Sequence, residues 1–212
     1  MITVELKFPV TGKTLPTDQG YALYGAISRL VPEIHTADWF ALETTPGVAR
    51  GDGTTQLDPH GKLRMRLPQE HVALLLKLAG KQLHLNSQAI RLGAPEISLL
   101  APAAALYARI VTIKGFTEPE PFTDAVCRKL KERGLRGEVV TGPRRVLQVG
   151  EHKIVGFGLA LHELSDDASL QLQAEGLGGR RKMGCGYFNP IQLDRVIGEI
   201  PKRMREVLHH EQ

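Results

Sequence analysis

The 212-residue chain is predicted to be an α+β protein, because the order strand, helix, strand, strand, helix, strand is readable in it twice, with the join at Ala101-Pro102. Two consecutive βαββαβ units make tandem ferredoxin-like domains, here residues 1–101 and 102–193, followed by a tail of residues 194–212. A glycine-rich run, residues 176–186, comes between the last helix and the closing strand of the second unit.

In the first unit, Ile2 to Val10 reads as a strand and Asp18 to Val31 as a helix capped by Asp18. Strand material follows from Trp39 to Arg50 and again from Lys62 to Leu67. Pro68 then opens a helix with Val72, Leu75, Leu76 and Ala79 on one face and Gly80 as its stop. Ile90 to Leu100 closes the unit.

The second unit starts with a strand from Leu106 to Lys114 and a helix from Phe122 to Arg133. Phe122, Val126 and Leu130 recur at helical spacing there, and Gly134 stands behind them. Strands follow at Glu138 to Val140, Arg145 to Val149 and Ile154 to His162. The segment from Ser165 has two readings. Ala168, Leu170, Leu172 and Ala174 alternate as in a strand, whereas Ser165 as N-cap with Asp166 and Asp167 in the first turn favours a helix, which is the reading adopted. Gly186 to Leu193 is the final strand. In the tail, Val196, Ile197, Ile200, Met204 and Leu208 fall near helical spacing, broken at Pro201.

A hydrophobic share of 42% and a charged share of 24% are those of an ordinary folded domain. The net charge of +4 permits a nucleic-acid partner without requiring one. Cys127 and Cys185 form no C-x-x-C pair, so no zinc site or disulfide framework is written and a reducing cytoplasm is expected. The longest mainly apolar run, Ile97 to Ala108, contains Pro102 and is too short for a bilayer, so no membrane role is expected.

The glycine-rich run holds Gly176, Gly178 and Gly179, then the three adjacent cations Arg180, Arg181 and Lys182, then Gly184 and Gly186. Glycines tolerate positive φ and let another molecule approach backbone N–H groups, and three cations without an acid suit a partner with several phosphates. A P-loop would need Lys and Ser or Thr after its second glycine, and a dinucleotide fingerprint would need a glycine where Arg181 stands. The plain rival is a glycine-rich connection with ordinary surface cations. The strands carry few aromatic residues, so base stacking on a sheet is not provided for. Recognition through cations and loops fits structured or double-stranded RNA. Arg29, Arg64 and Arg66 are further candidate RNA contacts.

The tandem domains ending in a G-φ-G-x5-G-φ-G loop with basic residues inside it resemble the repeat-associated RNA-binding superfamily of CRISPR systems. The run from Leu15 to Arg29, with Pro32-Glu33-Ile34-His35, is similar to its precursor-CRISPR-RNA endoribonucleases, in particular the Myxococcus-type branch. The resemblance spans residues 1 to about 193. It implies an enzyme that cuts repeat transcripts at or beside a stem-loop without metal or other cofactor. Its partners would be that RNA and subunits of a CRISPR interference complex. A histidine after the first helix serves such enzymes as general acid or base, which maps onto His35.

Metal-free RNA cleavage uses the substrate's own 2′-hydroxyl as nucleophile and leaves a 2′,3′-cyclic phosphate. The protein must align the attack, move protons and stabilise charge on the phosphate. A histidine titrates near working pH. On a helical wheel Leu23, Ile27, Leu30 and Ile34 share one face, and Tyr21, Tyr24, Ser28 and His35 share another. Tyr24 is the candidate helper of His35. None of the other histidines has metal-ligand spacing, and no bound metal is expected. The alternatives are a non-catalytic RNA-binding subunit and a ferredoxin-like binder of small ligands or metal.

Overall fold

The computed structural model describes residues 2–191 and has two compact units. Unit 1 comprises residues 2–100 with two short later segments, Gln148–His152 and Arg180–Gly184; unit 2 comprises the other described residues. The expected helix of the tail and Leu193 lie outside the described residues.

Unit 1 starts with β1 (Thr3–Thr11), β2 (Thr14–Pro16) and α1 (Gly20–Leu30), followed by a 3-10 turn, Pro32–His35. Strands β3 (Ala41–Glu43), β4 (Gly47–Ala49), β5 (Thr54–Leu57) and β6 (Lys62–Pro68) come next, then a 3-10 turn and the short α2 (Val72–Leu76). The hairpin β7 (Gln82–Leu85) and β8 (Gln88–Leu92), and β9 (Glu96–Leu99), close the set. The main sheet runs β3-β6-β1-β8-β7, with β9 also paired to β1, and β2, β5 and β4 form a small second sheet. Antiparallel pairing sets Leu6 beside Met65 and Phe8 beside Leu63, so one row of apolar residues enters the core.

Several sequence expectations change here. Pro68 does not open a helix; it ends β6 opposite Thr3, and only the five residues of α2 are α-helical. Leu75 and Leu78 are buried, while Leu76 and Ala79 face outward. Asp18 does not cap α1. The cap position is Gln19, whose buried side-chain amide donates to the Thr45 carbonyl (2.8 Å) and accepts from the Thr45 N–H (3.0 Å). The Asp18 carboxylate accepts the backbone N–H of Gln148 instead.

Unit 2 is built on β10 (Leu106–Val111), α3 (Pro119–Glu132), β11 (Glu138–Val149), β12 (His152–His162), α4 (Asp166–Glu175) and β13 (Asn189–Pro190), in the sheet order β11-β12-β10-β13, the tip of the β11–β12 hairpin, Gln148–His152, being counted with unit 1. The segment after Ser165 is helical, as the capping argument indicated. The Ser165 hydroxyl accepts the Ala168 N–H, and this bond, with two acids in the first turn, prevails over the alternating pattern. β11 runs unbroken through Gly142-Pro143, where two strands were expected. It lies at the sheet edge, where a residue without an N–H is tolerated.

Candidate active site

The chain leaves α1 at Leu30 because Pro32 lacks an N–H and keeps Val31 out of the helical region, at φ −134° and ψ 77°. The following 3-10 turn is held by the fully buried Ile34, which leaves its neighbour His35 exposed. Leu23, Ile27 and Ile34 are buried as the wheel predicts, whereas Leu30 is exposed.

The turn brings His35 back to Tyr24, with 3.0 Å between the Tyr24 hydroxyl and His35 Nδ1 and 3.4 Å between that hydroxyl and the His35 carbonyl. Both contacts are satisfied together when Nδ1–H donates to the phenol oxygen and the phenol O–H donates to the carbonyl. The lone pair then rests on Nε2.

A third group meets this corner from far along the sequence. The Lys182 ammonium donates to the His35 carbonyl at 2.6 Å, and an Arg181 N–H donates to the Asp38 carbonyl at 3.5 Å. Desolvation holds the Lys182 pKa below its ordinary value against the opposing effect of Asp38. Met183 packs on the core of unit 1 and fastens the segment. Of the three adjacent cations only Arg180 is exposed, and it adopts a left-handed conformation with φ 60°.

The glycines flanking these cations have another task than the one expected. At Gly178 (φ 82°) an added Cβ would lie 2.4 Å from the Thr112 carbonyl oxygen, and at Gly186 (φ 63°) 2.2 Å from that of Leu177. The close approach expected for RNA is thus made by the protein's own backbone. Thr112 clamps Gly179 by accepting its N–H (2.9 Å) and donating a hydroxyl to its carbonyl (3.1 Å), and Gly186 N–H bonds to Ile110. Leu177 and Cys185, the middle residues of the two triplets, are fully buried. Gly176 ends α4 and accepts an Arg133 N–H, and Gly184 packs on Thr44.

Arg66 must be withdrawn as an RNA contact. It is 2% exposed and bonded to Glu5, the residue opposite it on β1, at 3.0 and 2.9 Å. Arg64 is half-exposed and lies 3.6 Å from Glu43. Arg29 is exposed and donates to the His84 carbonyl.

A family model described as Cas6 Crispr matches residues 4–193. The chain belongs to the Cas6 family. It is 38% identical over 190 residues to the CRISPR-associated endonuclease Cas6 of Myxococcus xanthus (strain DK1622), covering 90% of this chain and 82% of that protein. A Cas6-related structure from Pyrococcus furiosus has a TM-score of 0.66 at 12% identity, covering 90% of this chain and 99% of that one. Thermus thermophilus Cse3, bound to an RNA representing a pre-cleavage complex, has a TM-score of 0.54 at 13% identity, covering 89% and 98%. At such identities the shared property is the fold.

Sequence reasoning placed Lys182 in this Cas6-family chain among the RNA contacts and did not foresee it beside His35, 147 positions away. No local pattern carries that pairing. Among the described residues no group of three or more His, Cys, Asp or Glu could hold a metal, and no helix is long and apolar enough to cross a membrane.

Proposed function

We propose that this Cas6-family chain is a metal-independent endoribonuclease that cuts CRISPR repeat transcripts by internal 2′-hydroxyl attack to give mature guide RNAs. The observation that carries the reading is the corner of Tyr24, His35 and Lys182, supported by the named activity of the Myxococcus relative. His35 Nε2 takes the proton of the 2′-hydroxyl as that oxygen bonds to phosphorus. The bond from phosphorus to the 5′-oxygen breaks, and a 2′,3′-cyclic phosphate results. Tyr24 holds the ring in the required tautomer. The Lys182 ammonium, with one N–H on the His35 carbonyl, directs its others to the phosphate, where charge accumulates in the transition state. Its lowered pKa also makes it a better proton donor to the departing oxygen.

Arg180 and Gly179 are exposed and supply RNA contacts, with Arg29 and Arg64 as further cations. The architecture behind the site is read as two ferredoxin-like domains, residues 1–101 and 102–193. Supporting this, β3-β6-β1-β9 and β11-β12-β10-β13 repeat one order when the strands are matched along the chain. The RNA is expected to present a stem-loop, and the enzyme to work in the cytoplasm.

The test is incubation of the protein with repeat RNA from its own genome in chelator. Cleavage to a cyclic phosphate is expected, and a single 2′-deoxy sugar before the scissile phosphate should leave the RNA bound and uncut. Cleavage of the deoxy substrate would overturn internal attack.

A further inference from the structure

Gly25 sits in the middle of α1, where glycine is less favourable than alanine, and nothing among the described residues explains it. An added Cβ would meet only Arg29, at an ordinary 3.9 Å. The glycine lines an open cavity of about 570 Å³ within unit 1. Tyr21 and Arg29, one turn of α1 before and after it, line the same cavity, with His84 from β7, Asn86 from the β7–β8 turn and Gln148. Tyr21 is 45% exposed, and Arg29 and His84 are exposed as well. Arg29 is steadied by its bond to the His84 carbonyl, and the carboxylate in the lining, Asp18, accepts the Gln148 N–H.

An open aromatic ring, a floor without a side chain and a positioned guanidinium match the parts of a nucleotide: a base to stack, a flat approach and a phosphate. The neighbouring row of α1 holds Tyr24 and Ser28, so this cavity adjoins the His35 corner along one helix. We propose that the cavity is a subsite for one unpaired nucleotide of the repeat RNA beside the cleaved bond, with its base on Tyr21 over Gly25 and its phosphate on Arg29. The proposal rests on the endoribonuclease reading above.

The experiment measures binding of the full-length protein to uncut repeat RNA, blocked by the 2′-deoxy sugar, and scans the unpaired positions with abasic nucleotides. Stacking of one base corresponds to about a 5- to 150-fold loss of affinity in Tyr21→Ala, with Tyr21→Phe near wild type. One abasic position should weaken wild-type binding and add nothing in Tyr21→Ala. Gly25→Leu should weaken binding by about tenfold or more and raise KM more than it lowers kcat, with an unchanged or higher Tm showing that the fold survives. Wild-type affinity in both variants, or abasic losses that add fully to Tyr21→Ala at every position, would overturn the subsite and leave the nuclease reading standing. A wild-type protein that neither binds nor cuts repeat RNA would overturn both. Displacement of bound RNA by a free nucleoside monophosphate, with no abasic effect, would assign the cavity to small nucleotides and overturn it too.

Discussion

The two ends of the glycine-rich loop and its middle differ in what they touch. The ends, Gly176 to Gly179 and Cys185-Gly186, are fastened to the backbone of unit 2 at Thr112, Ile110 and Leu177. The middle, Arg180 to Gly184, belongs to unit 1, where Lys182 reaches the carbonyl of His35. A motif that reads as one phosphate-binding device thus divides into a structural frame and a short chemical segment. What separates them is the unit to which each belongs.

The largest effect should come from the corner that the middle completes. If the His35 ring acts in the transition state, His35→Ala is expected to slow cleavage by about 10² to 10⁴ with RNA affinity nearly kept. Single-turnover cleavage beside equilibrium binding measures this, and a normal rate would remove His35 from the chemistry. At the frame, Gly186→Ala forces a Cβ against the Leu177 carbonyl and should cost about 1–3 kcal/mol from overpacking and about 1–2 more from the positive φ. A lower Tm is expected, with near-normal RNA affinity in the protein that remains folded. A stable variant that had lost only RNA binding would reverse the assignment of the ends.

The middle also predicts a pH dependence. If protonated Lys182 stabilises the transition state, activity falls as pH rises through a pKa that desolvation has moved below its usual value of 10.5. Lys182→Arg should carry this alkaline limb upward, and a limb that does not move would exclude Lys182 as its source. In the folding balance the sign is opposite to that of an ion-paired lysine. Burial disfavours the charged form, so this group costs stability at neutral pH and the cost shrinks as pH rises above its lowered pKa. The smallest effect is expected at Arg180, an exposed L-residue in the left-handed region. Arg180→Gly should raise Tm slightly and reduce the slope of log affinity against log salt by about 0.7 to 0.9. An unchanged slope would show that this cation makes no phosphate contact.

Local signals read well and distant ones did not. Ser165 with its two acids identified α4, and Phe122, Val126 and Leu130 with Gly134 identified α3, because those determinants lie within a few residues of each other. Strands β2, β5 and β7, of three or four residues, carry too little alternation to be read. Arg66 looked solvent-facing within Lys62-Leu63-Arg64-Met65-Arg66. Its burial depends on Glu5, 61 positions away, which neutralises it across the β1–β6 pair. The turn at Pro32 was readable as an interruption of α1. That it returns His35 to Tyr24 depends on the packing of Ile34, which only the folded core determines.

The bond between His35 and Lys182 has a consequence in time. During synthesis the first helix and its histidine leave the ribosome long before the lysine, and 147 positions must be added before the corner can close. A growing chain therefore carries the proposed general base without the cation that meets it. If the two residues act together as proposed, cutting becomes possible only after residue 182 has been added, and a product truncated before residue 180 should cut RNA poorly.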